Sequence, residues 1–292
     1  MITKSAIDTY PMKALAKHQI NQLLVNYRIL TGKLRIAPDF IIIGAQRGGT
    51  TSLYNNLNRH LCVAPALKKE VHFFDVNFNK GTDWYKAHFP SYLYRYIRKV
   101  RDQGIITGEA SPYYLFHPHV PKRVVELFPG IKLIALLRNP IDRAYSHYHH
   151  EVRRGFEKLS FAEAIEKEPE RLLADAEKMQ EDENYYSFNH RHYSYLSRGI
   201  YVDQLKNWMR FFSREQMLIL KSEDFYRDPG AVMSRLQAFL KLPSLQMGNY
   251  GRYYYHPYSE LGAAMRTYLI DYFRPHNKEL CEYLGVDFGW DV

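Results

Sequence analysis

The chain has 292 residues, enough to bury a core, and its 46% hydrophobic and 24% charged content is that of an ordinary globular protein rather than a disordered or fibrous one. A net charge of +9 favours anionic partners. Cys62 and Cys281 are too few and too far apart for a disulfide framework or a metal spacing, and predict buried thiols in a reducing compartment. The N-terminus lacks the apolar stretch of a signal peptide and no run approaches a membrane span, so the expectation is a cytoplasmic chain without stable membrane insertion.

Residues 1–35 are polar and mildly basic, with Leu23, Leu24, Tyr27 and Leu30 at helical spacing. They predict an N-terminal helical extension that packs on the body or makes a self-contact, as in a homodimer. Ala37-Pro38-Asp39 then opens a single domain over 36–292. Three short apolar runs predict buried parallel strands: FIII at 40–43, KLIALL at 132–137 and MLIL at 217–220. Each leads into a turn and a helix-like segment. That alternation predicts an α/β fold, a central parallel sheet flanked by helices, with ligands beyond the carboxyl ends of the strands. Residues 153–196 read as a charge-rich, solvated helical excursion that ends in a stretch dense in Tyr, His and Arg, suited to line a substrate cleft.

The first strand runs into GAQRGGTT, where Gly44 and Gly49 stand five apart, as in a phosphate loop. Small residues let successive N–H groups turn inward, and the helix that follows presents its N-terminal dipole to an anion. Thr50 stands where a nucleotide triphosphatase would carry lysine, and Arg47 is the loop's cation. The second strand ends in Arg138 instead of a magnesium-binding carboxylate. Asn139 then caps a helix with Pro140 at its first position, and Ser146 lies one turn past Asp142. Arg138 and Ser146 make a second phosphate clamp, unless Arg138 pairs with Asp142 or a nearby glutamate. Two anion sites without a metal carboxylate suit a nucleotide with phosphates at both ends of its ribose.

QRGGTTSL, KEVHFFD and LLRNPIDRAYSHY resemble the sulfotransferases that use 3′-phosphoadenosine 5′-phosphosulfate (PAPS), above all the heparan-sulfate-sulfotransferase-like branch with its bacterial relatives. The resemblance continues through GEASPYYLF, RGIYVDQLKNWMRFF, EDFYRDP and HNKELCEYLGVDFGW, covering roughly residues 38–290. It implies a P-loop-like 5′-phosphosulfate-binding loop made of Arg47, Gly48, Gly49, Thr50, Thr51 and Ser52, and a 3′-phosphate site of Arg138 and Ser146. It adds Tyr201 to the nucleotide set, and Gly251 and Arg252 of GRYYYHP as a loop closing over the nucleotide. PAPS would be the donor and 3′-phosphoadenosine 5′-phosphate (PAP) the product, with no metal.

Sulfuryl transfer resembles phosphoryl transfer and needs a cation at the bridging oxygen and a base for the acceptor proton. Arg47 takes the first role, in the place where relatives commonly carry lysine, and acts by charge and hydrogen bonds. In KKEVHFFD, Glu70 and His72 would share a side if the segment is extended. The resemblance implies Glu70 as the base, with His72 and Asp75 supporting, and leaves His72 and Glu109 as further candidates. Thr51 and Ala110 stand where the heparan 3-O enzymes carry cations. That predicts a small-molecule or carrier-bound acceptor hydroxyl, on a sugar, a lipid or an acyl chain, in place of a highly anionic polysaccharide. His147, His149, His150, His117 and His119 lack metal-ligand spacing and read as helix-surface or cleft residues. Three alternatives stand beside this reading. A P-loop-type small-molecule kinase requires a lysine after Gly49; a non-catalytic nucleotide-binding relative would dispense with Glu70 and His72; a nucleic-acid-binding protein requires a recognition motif that is absent.

Overall fold

The apolar runs become strands because both their faces find cover. In β1 (Phe40–Gly44) and β4 (Lys132–Leu137), Phe40, Ile42, Ile134 and Leu136 pack beneath the Thr50–Leu57 and Pro229–Phe239 helices. Ile41, Ile43, Leu133 and Ala135 pack on the other side against Val124, Leu205 and Trp208. Residues alternate between two buried faces, as a central parallel strand requires. A computed structural model of the chain describes residues 23–101, 104–246, 248–251, 253 and 258–290.

The sheet has five parallel strands in the order β2-β3-β1-β4-β5, where β2 is Val63–Pro65, β3 Ile106–Ala110 and β5 Met217–Lys221. From β1 the chain builds β2 and β3 on one side, then crosses to β4 and β5 on the other. The loops after β1 and β4 therefore diverge and leave a crevice at their carboxyl ends. β2 and β3 were not among the expected strands. β2 is three residues long, and β3 reads ITGEA, polar in sequence yet buried. It tolerates burial because Thr107 donates to the Ala64 carbonyl at 2.6 Å and Glu109 is fully hydrogen-bonded, as described below.

The charge-rich excursion is less solvated than its composition predicts. Phe161, Ile165 and Tyr195 form a core with Ile141, Ala144 and Phe273, and three of the excursion's acids are buried. Glu168 accepts from the Leu196 and Ser197 amides at 2.6 and 2.8 Å, Glu157 pairs with Arg171 at 2.6 Å, and Asp175 accepts from Ser187 Oγ at 2.7 Å. With Glu157 also accepting from the Tyr195 hydroxyl at 2.9 Å, those acids tie down residues 187–197, whose short Phe188–His192 helix carries Arg191 and His192.

Of the predicted extension, residues 1–22 lie outside the described residues and 23–29 are helical. Val25 is its buried side chain, whereas Leu23, Leu24, Tyr27 and Leu30 all face solvent. Cys62 and Cys281 are free thiols, as expected, but half-buried rather than buried; on the Ala263–Leu284 helix it is the neighbouring Leu280 that enters the core. Among the described residues no helix is long and apolar enough to cross a membrane.

Candidate active site

The loop after β1 is shaped by close approach. A Cβ on Gly48 would meet the Leu136 carbonyl at 2.4 Å, and one on Gly49, whose φ is +97°, would meet the Tyr226 hydroxyl at 2.5 Å. Arg47 itself takes a positive φ of 67°, a conformation that costs a non-glycine residue and is held by the surrounding turn. This geometry aims the start of the Thr50–Leu57 helix, with the Thr50 and Thr51 hydroxyls, into a cavity of about 650 Å³.

Arg138 and Ser146 enter the same cavity from β4 and the Pro140–Arg153 helix. Asn139 caps that helix by accepting from the Ile141 amide at 3.0 Å, with Pro140 in its first turn, as the sequence predicts. The two clamps touch. Arg47 Nε donates to Ser146 Oγ at 3.1 Å, and Arg138 Nη1 donates to the Arg47 carbonyl at 3.2 Å. Asp142 pairs with Arg266 at 2.7 Å rather than with Arg138, and among the described residues no ion pair includes Arg47 or Arg138. Burial, with Arg153 and Arg138 nearby, lowers the pKa of Arg47. Burial disfavours the Arg138 cation too, but Tyr258 and, less strongly, Asp142 outweigh it and raise its pKa. Two guanidiniums in no salt bridge among the described residues are suited to an anion.

Not every predicted nucleotide residue faces the cavity. Gly48 packs against Leu136 and supplies clearance. Ser52 is buried and accepts from the Tyr253 amide at 2.9 Å, while Asn56 exchanges hydrogen bonds with Gly251, donating at 2.9 Å and accepting at 3.0 Å. Ser52 and Gly251 thus hold the C-terminal loop against the first helix, and that loop presents Tyr253 and Tyr258 to the cavity. Tyr201 is buried and donates to the Arg138 carbonyl at 2.8 Å, so it steadies Arg138 from behind. Arg252 lies outside the described residues.

At the other wall, residues 69–72 form a kinked turn rather than the extended segment expected. Glu70 and His72 have φ of 62° and 55°. The kink still brings Glu70 Oε2 to 3.5 Å from His72 Nε2, while Asp75 accepts from His72 Nδ1 at 2.7 Å and Lys69 closes on Glu70 Oε1. Burial disfavours the His72 cation, but Asp75 and Glu70 outweigh it and hold its pKa at about 9. Burial likewise disfavours the Glu70 anion, and His72 and Lys69 outweigh that, bringing Glu70 down to about 2. Near neutrality the turn therefore carries a carboxylate held by two cations.

Glu109, the other candidate base, is walled off. Tyr85 and Tyr114 donate to its Oε1 at 2.8 and 3.0 Å, and Ser111 Oγ and the Val71 amide donate to Oε2 at 2.6 and 3.2 Å. Four donors occupy the carboxylate, and its partners reach the Glu70–His72 turn: Val71 directly, and His72 through its amide to Ser111 at 3.2 Å. It orients that turn.

Lys69, Tyr113, Arg154, Arg191, His192 and Tyr226 complete the cavity wall without having been singled out as site residues, although the segment with Arg191 and His192 was expected at a cleft. Arg191 Nη2 lies 3.2 Å from His72 Nε2, where its charge opposes the His72 cation, and His192 is held by Glu151 at 3.0 Å. His150 lines the cavity and is drawn down to about 4 by burial and Arg47. His147 and His117 are not helix-surface or cleft residues but interior ones, His147 lying 3.5 Å from the buried Glu151. Among the described residues no group of His, Cys, Asp and Glu is arranged to hold a metal.

Comparison with known proteins agrees with this geometry. The family model for the sulfotransferase domain matches residues 37–254. A membrane-associated sulfotransferase, kil1, of Dictyostelium discoideum is 28% identical over 89% of this chain and 68% of its own length. Heparan sulfate glucosamine 3-O-sulfotransferase 6 of Mus musculus is 28% identical over 87% of this chain and 74% of its own. Among solved structures, a sulfotransferase from Alicyclobacillus acidocaldarius superposes with a TM-score of 0.67 at 30% identity, covering 88% of this chain and all of that one. With its motifs, its sheet and the cavity at the ends of β1 and β4, the chain belongs to the sulfotransferase family and is an enzyme that moves a sulfuryl group to an acceptor.

Proposed function

We propose that the donor is PAPS and that the cavity divides between it and an acceptor hydroxyl, in a catalytic unit of residues 36–292 that works in the cytoplasm, with 1–35 as an extension. The observation that carries this reading is the pair Arg47 and Arg138, two guanidiniums lining one cavity, joined by the bond from Arg138 to the Arg47 carbonyl and, among the described residues, in no salt bridge. They fit the two ends of a nucleotide phosphorylated at 3′ and 5′. Thr50, Thr51 and the amides of the first helical turn face the 5′ end, and Arg138 with Ser146 faces the 3′ end. Tyr226, Tyr253 and Tyr258 offer flat faces for a base. When bound, the donor supplies a sulfuryl group that passes in line through a loose transition state.

The chain's own residues then have separate tasks. Arg47 leaves Ser146 and turns its charge to the bridging oxygen as that oxygen becomes anionic. Glu70 accepts a hydrogen bond from the acceptor hydroxyl, fixes its angle of approach and takes its proton late, once the new S–O bond has made that proton acidic. A carboxylate with a pKa near 2 suffices for a late transfer. His72, charged and anchored by Asp75, holds Glu70 in place. Lys69, Arg154 and Arg191 also line the cavity, which favours an acceptor with an anionic group near its hydroxyl, on a sugar, a lipid or a carrier-bound chain.

A thermal-shift titration with adenosine 3′,5′-bisphosphate, AMP and magnesium ATP tests the donor site. At a hundred times its dissociation constant the bisphosphate stabilises the fold by about 2.7 kcal/mol, and AMP by less at the same concentration. A larger shift with magnesium ATP overturns the reading in favour of a kinase; no shift with any of them favours a relative that does not bind nucleotide.

A further inference from the structure

The Tyr92–Val100 helix is turned inside out. Its capped N-terminus is ordinary, with Ser91 accepting from the Tyr94 amide at 3.2 Å, yet none of its residues is buried. At 100° per residue Tyr92, Leu93, Tyr96, Ile97 and Val100 share one face, and Arg95 and Arg98 lie on the opposite one. It is the basic face that meets the body: Arg95 pairs with Asp39, and Arg98 donates to the Leu61 carbonyl at 2.8 Å. The apolar face looks into solvent, with Leu93 67%, Tyr96 66% and Val100 65% exposed.

A second apolar strip adjoins it. Arg28 and Arg35 both donate to the Phe89 carbonyl, and Arg35 bridges to Ser91 at the head of the helix. This ties the 23–35 segment, with exposed Leu23, Tyr27, Leu30 and Leu34, alongside. Exposed apolar area on this scale marks an interaction surface. Neither 23–35 nor 91–101 contains an acid, while Lys33, Lys99 and Arg101 are exposed at the rim. An isologous contact would set those like charges face to face. Asp83 packs against Gly32, yet tyrosines and leucines flanked by exposed lysine and arginine are what the headgroup region of an anionic bilayer accepts.

We infer that this surface is a peripheral docking site for an anionic lipid bilayer. Asp39 precedes β1, Leu61 precedes β2 and Thr107, whose amide Asp39 accepts, opens β3, so the surface lies at the amino ends of the strands. The cavity lies at their carboxyl ends. Docking therefore holds the enzyme on the membrane with its donor and acceptor site open to water.

Co-sedimentation of the full chain with vesicles of phosphatidylcholine, alone or mixed with phosphatidylserine, tests this. Binding to the mixed vesicles is expected to be at least about tenfold stronger and to fall as salt is raised. Leu93→Asp with Tyr96→Asp abolishes it, and Lys33→Glu with Lys99→Glu and Arg101→Glu abolishes the preference for phosphatidylserine. These side chains are exposed, so each variant keeps the wild-type thermal shift with adenosine 3′,5′-bisphosphate, which separates loss of docking from loss of the fold or the donor site. Equal or absent binding to both vesicles overturns the inference. A dimer in light scattering that the Leu93→Asp, Tyr96→Asp pair dissolves also overturns it, and assigns the face to a second copy.

Discussion

Arginines around the carboxyl end of the sheet divide into two kinds. Arg198 and Arg143 are buried and spend themselves on the 190–195 segment. Arg198 donates to the His190 and Arg191 carbonyls at 2.8 and 3.0 Å and contacts Gln46, and Arg143 donates to the Tyr195 carbonyl. Arg47 and Arg138 differ in facing the cavity, where Arg47 donates to the Ser146 hydroxyl and Arg138 to the Arg47 carbonyl and, at 3.5 Å, to the Tyr258 hydroxyl. A guanidinium has five donors in a rigid fork. Among the described residues Arg143 Nε and Nη1 and Arg198 Nε are also left without a partner, so it is access to the cavity, not spare donors alone, that gives Arg47 and Arg138 capacity for an anion. Residue type says nothing about that access.

Substitution separates the two kinds. Arg47→Ala is expected to lower kcat by about 10²–10³ with bisphosphate affinity changed only a few-fold, because its charge matters most as the leaving oxygen develops. Steady-state turnover beside the thermal shift reads this, and turnover near wild type removes Arg47 from the chemistry. Arg198→Met acts in the opposite way. It leaves buried carbonyls without donors and costs about 3 kcal/mol of stability, seen as a midpoint lowered by several degrees. If it instead binds nucleotide poorly at full stability, Arg198 belongs with the first kind.

Arg138→Ala is smaller in scale. Loss of a charge-assisted pair weakens adenosine 3′,5′-bisphosphate by about 1.5–3 kcal/mol, and AMP, which lacks the 3′-phosphate, hardly at all. Calorimetric titration of both nucleotides decides it; equal losses dissolve the two-ended clamp. The most gradual effect is the pH response of His72. The folded state keeps that proton to about pH 9, while the unfolded chain releases it near 6.5. Between those values the folded protein binds more protons, so the contribution is complete below 6.5 and fades as pH rises to 9. That loss of stability should show in denaturant titrations across those values, and His72→Gln should flatten the slope.

Legibility followed locality. GAQRGGTT and LLRNP could be read because strand, turn, cap and helix start are neighbours in sequence, and their functional groups follow from backbone geometry. β1, β4 and β5 were readable as apolar runs. β3 was not, since Gly108, Thr107 and Glu109 are polar residues whose burial depends on Ala64, Tyr85 and Tyr114 from elsewhere in the chain. His147 looked like a surface histidine for the same reason: its cover, Tyr195, is far away in sequence. Glu70 and His72 were expected together on an extended segment, and they do come together, but through two left-handed residues that the Glu109 network holds in place.

By itself the sequence determined the first strand-loop-helix, because that rests on short-range rules: which residues leave an amide free, which cap a helix, which run stays dry. The reaction class followed from the resemblance of its motifs to the sulfotransferases. Tertiary structure alone decided that Ser52 and Tyr201 bond behind the site, that four donors fill the Glu109 carboxylate, and that Lys69, Arg154 and Arg191 line one cavity. It also decided that the helix from Tyr92 to Val100 shows its apolar side to the outside. Each of those outcomes depends on which distant partner satisfies a polar group or covers an apolar one, and that is settled only when the chain has closed on itself.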